Sequence, residues 1–343
     1  MLQGHFVDST LSDEYRSSEY IAFTVWSYIR QFTGAIFLTV TGIIFTYLLM
    51  HQDSRPFFQN QRIRKGFKRV LLLFFWGYIL QPNAFHVLQC IAVGILLIMA
   101  FYGISLWVKR VPSYLFFITA SILLFATNLY FGVMKKQEYW PIHAPAFLQN
   151  MFHGPNSIFP ITPYVGFVML GAFLGSILHK IDKKIHSIKY ILPTFVVGIC
   201  FIFLSKSFFN WLNHIPEFNP LKLYVMAWIS LKIGMVLLFL SLLIALEAYV
   251  FKKIKPNLFL KIGQNTLMIF ISHIFILYGP WLNLSINKYF GHRIEADYIA
   301  PAALMFVLFF IVLVYLLDRY QHKLSFILFP IKEMTNRIFG IKN

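Results

Sequence analysis

Long uninterrupted apolar stretches constrain the fold of this chain more than any other feature. A helix rises ~1.5 Å per residue, so about 20 apolar residues cross the ~30 Å hydrocarbon core of a membrane. Only 13% of the residues are charged and 58% are hydrophobic, whereas soluble domains carry about 25% charged residues. The apolar stretches are continuous rather than alternating, which argues against a β-barrel. The sequence therefore predicts an all-α polytopic membrane protein.

We predict nine full transmembrane helices in a single integral-membrane domain that covers residues 1–343. Their expected bounds are Ile21–Met50, Val70–Gln81, Val87–Val108, Ser113–Met134, Thr162–His179, Tyr190–Ser205, Leu223–Val250, Thr266–Leu282 and Ile299–Leu317. Met1–Val7 is interpreted as the outer end of a truncated first helix, because a polar segment follows it and it is too short to span a bilayer. We expect about 15 to 25 further residues upstream, which would complete a ten-helix plan.

Positive charges are distributed unequally between alternate connecting segments. One set carries 21 Lys and Arg residues and consists of segments 51–69, 109–112, 180–189, 251–261 and 318–343. The opposite set carries 7 and consists of segments 8–20, 82–86, 135–161, 206–222 and 283–298. The positive-inside rule predicts that the first set, including the C-terminus, faces the cytoplasm. This topology accounts for the net charge of +17 without a nucleic-acid partner.

Two cations lie inside predicted helices, where a charge costs about 2.5–3.5 kcal/mol. Arg30 and Lys232 each lie roughly nine residues from the outer end of their helix, so their expected depth is similar. Two cations at one depth can line a cavity that binds an anion, as an oxyanion or an acidic substrate group. The structural alternative is that their long side chains extend to the outer headgroups.

His5 precedes Asp8 by three residues, a spacing at which a carboxylate orients an imidazole on a helix. This pair is the candidate for general-base chemistry, with His5 as base and Asp8 as its partner. Taken singly, a histidine in such a chain is more often hydrogen-bonded structure than catalyst. Further candidates for contact with a substrate or an oxyanion are His86, Gln89 one turn after it, His153 and His273.

A dense group of cations precedes the second predicted span. They are Arg62, Arg64, Lys65, Lys68 and Arg69. One interpretation is an anchor on anionic membrane lipid, worth ~1 kcal/mol per residue. The other is a binding segment for a phosphate-rich donor from the cytosol. The two cysteines, Cys90 and Cys200, both lie in predicted helices, which excludes a disulfide framework or a CxxC metal site; we predict no metal.

Several segments together resemble the bacterial relatives of heparan-α-glucosaminide N-acetyltransferase, a transmembrane group similar in plan to acyltransferase family 3. The segments are Met1–Asp8, Phe32–Gly42, Lys65–Arg69 with Gly77, His86–Ile91, Phe159–Pro163 with Gly166, Gly171 and Gly175, and Ile262–Leu267 with His273. Within this resemblance, His5 matches the histidine of the family's first helix, whose preceding arginine would lie upstream of Met1. The resemblance implies about ten helices around a pore-like cavity in a bacterial cytoplasmic membrane.

The resemblance also implies a reaction. An acyl group, expected to be acetyl, would move from cytoplasmic acyl-CoA to a sugar hydroxyl or amine of an extracytoplasmic glycan or glycolipid. Acyl-CoA would be the donor substrate, held by the cations of segment 62–69. A histidine acyl-enzyme and direct transfer both remain open, as does a homodimer.

Two other classes of function fit parts of the sequence. A transporter or flippase for an anionic lipid or sugar would also use buried Arg30 and Lys232. The chain lacks the paired, Gly/Pro-broken helices of many transporters. A non-catalytic scaffold leaves the cost of the buried cations unexplained. Consumption of acetyl-CoA separates an enzyme from both alternatives.

Overall fold

The computed structural model is helical throughout its described part, where the only β-structure is three isolated bridges. It describes residues 1–52, 56–108, 110–131, 140–181, 184–215, 223–250, 257–280 and 284–320. The helices are α1 (Leu2–Thr10), α2 (Ile21–Arg30), α3 (Thr33–Met50), α4 (Gln61–Leu80), α5 (Val87–Trp107), α6 (Ser113–Phe131), α7 (Ala146–Phe152), α8 (Ile161–Ile181), α9 (Ile188–Asn213), α10 (Tyr224–Tyr249), α11 (Asn257–Gln264), α12 (Thr266–Tyr278), α13 (Ile286–Phe290) and α14 (Ala296–Arg319). Most of the C-terminal segment 318–343 and part of the outer loop 135–161 lie outside the described residues.

Among the described residues, six helical segments are long and apolar enough to cross a membrane, and each coincides with a predicted span. They are Ile21–Met50, Val87–Trp107, Ile161–Ile181, Ile188–Asn213, Tyr224–Tyr249 and Ala296–Arg319. The first is interrupted, because residues 31 and 32 form a turn between α2 and α3. The length and apolar composition of these six helical segments therefore indicate a membrane protein.

The other three predicted spans have different shapes. Helix α4 covers the predicted span Val70–Gln81 up to Leu80 but begins at Gln61, so its first turns are strongly charged. Helix α6 is a shorter apolar helix over Ser113–Leu129. The prediction Thr266–Leu282 falls on a broken pair, α11 and α12, bent by 72°. The full count of nine spans stays a prediction.

The break between α11 and α12 has a local cause. Asn265 leaves the helical conformation, and its side-chain amide donates to the Lys261 carbonyl at 2.8 Å. The Asn265 backbone N–H also donates to this carbonyl, at 3.1 Å, so the side chain adds a second bond to the same carbonyl at the point where the helix bends. Helix α12 then ends at Tyr278, since Gly279 adopts φ 54, a left-handed conformation that glycine takes without steric cost.

The chain separates into two compact units: residues 1–26 with 254–343, and residues 27–253. The expectation of one acyltransferase-like domain over residues 1–343 stays a prediction.

In the larger unit, α3 and α8 pack most closely, because glycines of each helix lie against the backbone of the other. A Cβ on Gly171 would overlap the Thr39 carbonyl oxygen, and one on Gly42 would overlap the Val168 carbonyl oxygen. Small residues allow this backbone approach in membrane helices.

In the smaller unit, α1 packs against α12 and α14 around a common apolar core. The Phe6 and Phe306 rings lie 5.0 Å apart, and Phe306 in turn contacts Phe310 at 5.2 Å. Val7 and Leu11 of the N-terminal segment are also buried in this core, with Ile269 and Leu277 of α12. The short helix α1 is therefore held by packing rather than by its length.

Candidate functional site

The C-terminal end of α1 is tied down by Arg16. Its Nε donates to the Leu11 carbonyl at 3.0 Å. Its terminal nitrogen donates to the carbonyls of Asp8 at 2.6 Å and Val7 at 3.3 Å. The last carbonyls of a helix have no partner within the helix, and a cation is favoured there. Arg16 therefore fixes the end of the helix that carries His5.

A second set of backbone bonds closes the same helix end. The segment 292–294 donates to the carbonyls of Ser9 at 3.1 Å and Thr10 at 3.0 and 2.9 Å. His292 takes φ 54 in this turn, and its Nδ1 lies 2.6 Å from the Asp13 carboxylate. Helix α1 packs against the apolar core, and these hydrogen bonds hold its C-terminal end. The position of His5 on α1 is therefore well defined.

His5 lies against His273 of α12. The two ring centroids are 5.2 Å apart, with an angle of 40° between the ring planes. His273 is fully buried, and its Nδ1 is 3.0 Å from the Ile269 carbonyl oxygen. Because a carbonyl only accepts, this contact assigns the proton to Nδ1 and leaves a lone pair on Nε2. That buried Nε2 has no hydrogen-bond partner among the described residues.

The arrangement of His5 and His273 places an acceptor nitrogen beside a second imidazole. Asp8 lies one turn after His5 on α1, at the spacing where a carboxylate orients an imidazole. Both His5 and Asp8 are partly exposed, whereas His273 is closed off. An accessible imidazole backed by a buried one is suited to abstracting a proton from a substrate. The sequence named His5 and His273 separately, and their pairing comes from the structure.

The cations of segment 62–69 occupy the first turns of α4. Asn60 caps this helix by accepting from the Arg62 N–H at 2.8 Å. A helix N-terminus carries partial positive charge, so cations there are unfavourable unless an anion offsets them. Segment 62–69 nevertheless holds five cations and no acidic residue. These cations therefore destabilise the N-terminus of α4 unless an anionic ligand or an anionic membrane surface binds there.

Arg62 is one of the partly buried cations of this group. Its guanidinium lies over the Phe45 ring, 5.0 Å from the centroid. It lies outside the membrane-spanning segments, and burial, followed by the charge of Arg69, lowers the pKa of Arg62 from its usual value. Arg64, Lys65 and Arg69 are exposed, so they can contact a ligand. The structure therefore presents two partly buried cations, Arg62 and Lys68, and three exposed ones on one helix.

Lys232 is buried, with 5% of its surface exposed. Its Nζ lies 3.6 Å from the centroid of the Trp228 ring, one turn earlier on α10, in a cation–π contact. Arg30 stands in the last turn of α2, immediately before the turn that separates α2 from α3. The expectation that both cations line one anion-binding cavity stays a prediction.

Gln89 is fully buried, and backbone groups engage its amide. Its Oε1 accepts from the His86 N–H at 3.1 Å, and its Nε2 donates to the Ala84 carbonyl at 3.2 Å. The His86 ring packs against Phe159 with centroids 6.1 Å apart. His153 pairs with Trp140 through two backbone bonds of 2.9 and 3.3 Å. The three residues thus contribute to the packing of the loops before α5 and α8.

Metal ligation finds no support in the part of the chain that the structure describes. No three His, Cys, Asp or Glu side chains there come close enough to hold an ion. Cys90 is buried and Cys200 is exposed, and both are free thiols.

One comparison with known proteins gives a match. The family model described as heparan-alpha-glucosaminide N-acetyltransferase, catalytic, matches residues 1–216. This range includes His5 with Asp8 and the cations of α4. No curated protein and no solved structure matches the chain.

Proposed function

The chain belongs to the heparan-alpha-glucosaminide N-acetyltransferase catalytic family and is a membrane acyltransferase, and from that premise we propose its donor, acceptor and mechanism. Cytoplasmic acetyl-CoA donates the acetyl group. The acceptor is a sugar hydroxyl or amine of an extracytoplasmic glycan or glycolipid. The observation that carries this proposal is the contact between accessible His5 and buried His273, 5.2 Å between ring centroids. Nothing in the described contacts favours the transporter over the enzyme.

His5 acts as the general base. It takes the proton of the acceptor O–H or N–H while the acceptor atom attacks the carbonyl carbon of the thioester. The C–S bond then breaks, and the CoA sulfur leaves with the proton that His5 returns. Asp8 stabilises the imidazolium that forms between these steps. Lys232 and Arg30 are proposed to offset the negative charge of the oxyanion, and His86 and His153 to contact the acceptor.

His273 is a positioning residue in this proposal. We propose that its Nε2, which has no partner among the described residues, accepts an N–H from His5 once the substrate is bound. The other His5 nitrogen then keeps its lone pair toward the acceptor. We expect His273→Leu, which has no acceptor atom, to lower kcat about tenfold, because a hydrogen bond is worth about 1–1.5 kcal/mol. His273→Gln retains an acceptor oxygen, and we expect it to restore most of kcat.

The check is kcat across a pH range for the wild type and both His273 variants. Loss of this bond, which His5 donates to His273, should also move the acidic limb of the kcat profile, which reports the base in the enzyme–substrate complex. Equal loss in the Leu and Gln variants, with an unmoved pH profile, would assign His273 to packing alone.

The cations of α4 hold the phosphates of CoA in this proposal. We expect the double variant Arg64→Gln/Lys65→Gln to raise the KM for acetyl-CoA about tenfold, because charge-assisted bonds of 1.5–3 kcal/mol are weakened by exposure. The KM for S-acetyl-pantetheine, which lacks the nucleotide phosphates, should stay unchanged.

The matched control is Lys184→Gln/Lys189→Gln, which removes two exposed charges from another predicted cytoplasmic segment. It should change neither KM. If the α4 variant raises neither KM, or raises both donors' KM equally, segment 62–69 is an anchor on anionic lipid and not the donor site.

A sided assay tests the function as a whole. Proteoliposomes of the full chain receive radiolabelled acetyl-CoA on one face and glucosamine on the other, and acetylated sugar is measured. We expect product only when acetyl-CoA meets the face bearing α4 and glucosamine the opposite face. Product that forms only when both are on one side would contradict transfer across the membrane. Localisation in a bacterial cytoplasmic membrane, a cytoplasmic C-terminus and a homodimer remain predictions.

A further inference from the structure

A cavity of about 230 Å³ opens between the loop before α5 and the loop around α7. It is lined by Tyr78, Pro82, Asn83, Ala84, Phe85, Ala146, Phe147, Asn150 and Asn156. All of these residues belong to the larger unit. Both loops belong to the segments that the positive-inside rule assigns to the outer face.

The cavity is built around one buried amide. Asn150 has 5% of its surface exposed. Its Nδ2 donates to the Asn83 carbonyl at 2.9 Å, and its Oδ1 accepts from the Asn156 N–H at 3.0 Å. One side chain therefore ties together the two loops that form the walls. A buried amide that uses both of its ends in this way fixes the spacing of those loops.

Phe85 is a buried aromatic residue of the lining, and its backbone is held from several directions. It is 1% exposed. Its N–H donates to the Asn156 carbonyl at 3.1 Å, and its own carbonyl accepts from Ile158 and Phe159, each at 3.1 Å. The loops that line the cavity are thus preorganised, which reduces the entropy lost when a ligand binds.

The exposed residues of the lining include two aromatic rings and two neutral amides. Phe147 is 57% exposed and Tyr78 is 38% exposed. The side-chain amides of Asn83 and Asn156 are exposed and make no hydrogen bond to other described residues. An amide offers two donors and an acceptor at once, which suits a hydroxyl group. An aromatic face attracts the partly positive edge of C–H groups.

The lining excludes other ligand classes. None of the described lining residues is charged, so an anion or a cation would lose its hydration without a partner. None carries a carboxylate or an imidazole, the usual ligands of metal ions. The volume is below the about 300–1,000 Å³ of pockets for drug-sized molecules, so a single ring fits better than a chain.

We propose that this cavity binds one neutral pyranose ring, with its C–H face on Phe147 and its hydroxyls on Asn83 and Asn156. The identification of that ring as part of the acceptor rests on the proposed function, whereas binding itself needs no transfer reaction. The cavity then defines the acceptor class as a glycan or glycolipid with a neutral, polyhydroxylated sugar.

The test is saturation-transfer NMR on the solubilised full chain, without acetyl-CoA. The probes are methyl β-glucopyranoside and its 6-carboxylate, methyl β-glucuronide. We expect transfer to the neutral glycoside, and a Kd at least about tenfold weaker in Phe147→Ala and in Asn83→Ala. Both side chains are exposed, so neither variant removes a core contact. Phe290→Ala is the matched control, since its ring is 54% exposed in a different outer segment, and it should bind like the wild type.

Three results would overturn the proposal: no transfer to the neutral glycoside, equal Kd in wild type and both cavity variants, or tighter binding of the glucuronide. His5→Ala separates this proposal from the proposed function. Sugar binding without acetyl transfer in that variant supports both. If the wild type binds the sugar but never transfers acetyl groups, the cavity is a sugar-binding site and the bound sugar is not the acetyl acceptor.

Discussion

Replacing His5 by Ala is expected to lower the kcat of acetyl transfer by about 10²- to 10⁴-fold, the usual contribution of a general base. Acetyl-CoA binding should stay at its wild-type Kd, because the cations assigned to CoA are on α4. The helix that carries His5 is held by the Phe6–Phe306 contact and by Arg16, so the substitution should leave α1 in place.

The measurements are the Kd of acetyl-CoA and the rate of thioester loss in the presence of glucosamine. His214→Ala is the matched control, because His214 is an exposed histidine whose Nδ1 contacts the Asn210 carbonyl, one turn earlier in the chain. Near-normal turnover in His5→Ala would remove His5 from the chemistry. Loss of acetyl-CoA binding in the same variant would place His5 in the donor site instead.

Gly171→Ala should cost the protein about 1–3 kcal/mol of stability, the usual cost of overpacking. The added methyl group would overlap the Thr39 carbonyl oxygen of α3. Backbone atoms cannot move aside as a flexible side chain can, so α3 and α8 must separate along their whole contact. We expect a lower melting temperature of the detergent-solubilised protein and a loss of activity that follows it.

Gly263→Ala is the matched control for this substitution. Gly263 lies in helix α11, and a Cβ there would meet no heavy atom within 4 Å. The same chemical change should then raise helix stability by up to about 1 kcal/mol. The measurement is the melting temperature of each variant compared with that of the wild type. Equal melting temperatures in the two would show that the α3–α8 contact tolerates a methyl group.

Membrane spans were predictable because hydropathy is a property of contiguous residues. Six predicted spans coincide with long apolar helices, and their bounds differ mostly by a few residues. The sequence also named the residue types that matter, since a charge or an imidazole inside an apolar stretch is visible without a fold. Two predicted spans differ from the structure through local features. The helix bends where Asn265 leaves the helical conformation, and α4 begins early, at Gln61, after the Asn60 cap.

The candidate site was only partly predictable. The pairing of His5 with Asp8 uses a helical spacing, so it could be proposed from the sequence. Gln89 looked equally suited to a substrate, yet the structure engages both ends of its amide with loop backbone. Which polar side chain stays available depends on neighbours that are distant in the chain, and no local pattern records them.

The sequence by itself determined a helical membrane protein, the unequal charge of its connecting segments and a family whose chemistry is acyl transfer. Only the tertiary structure decided that His273 stands behind His5, that glycines of α3 and α8 meet backbone to backbone, and that Asn150 joins two loops into a cavity. The physical reason is that hydrophobicity and charge act residue by residue along the chain. Contacts between distant residues depend on how the helices pack, and backbone fit and buried hydrogen bonds settle that packing.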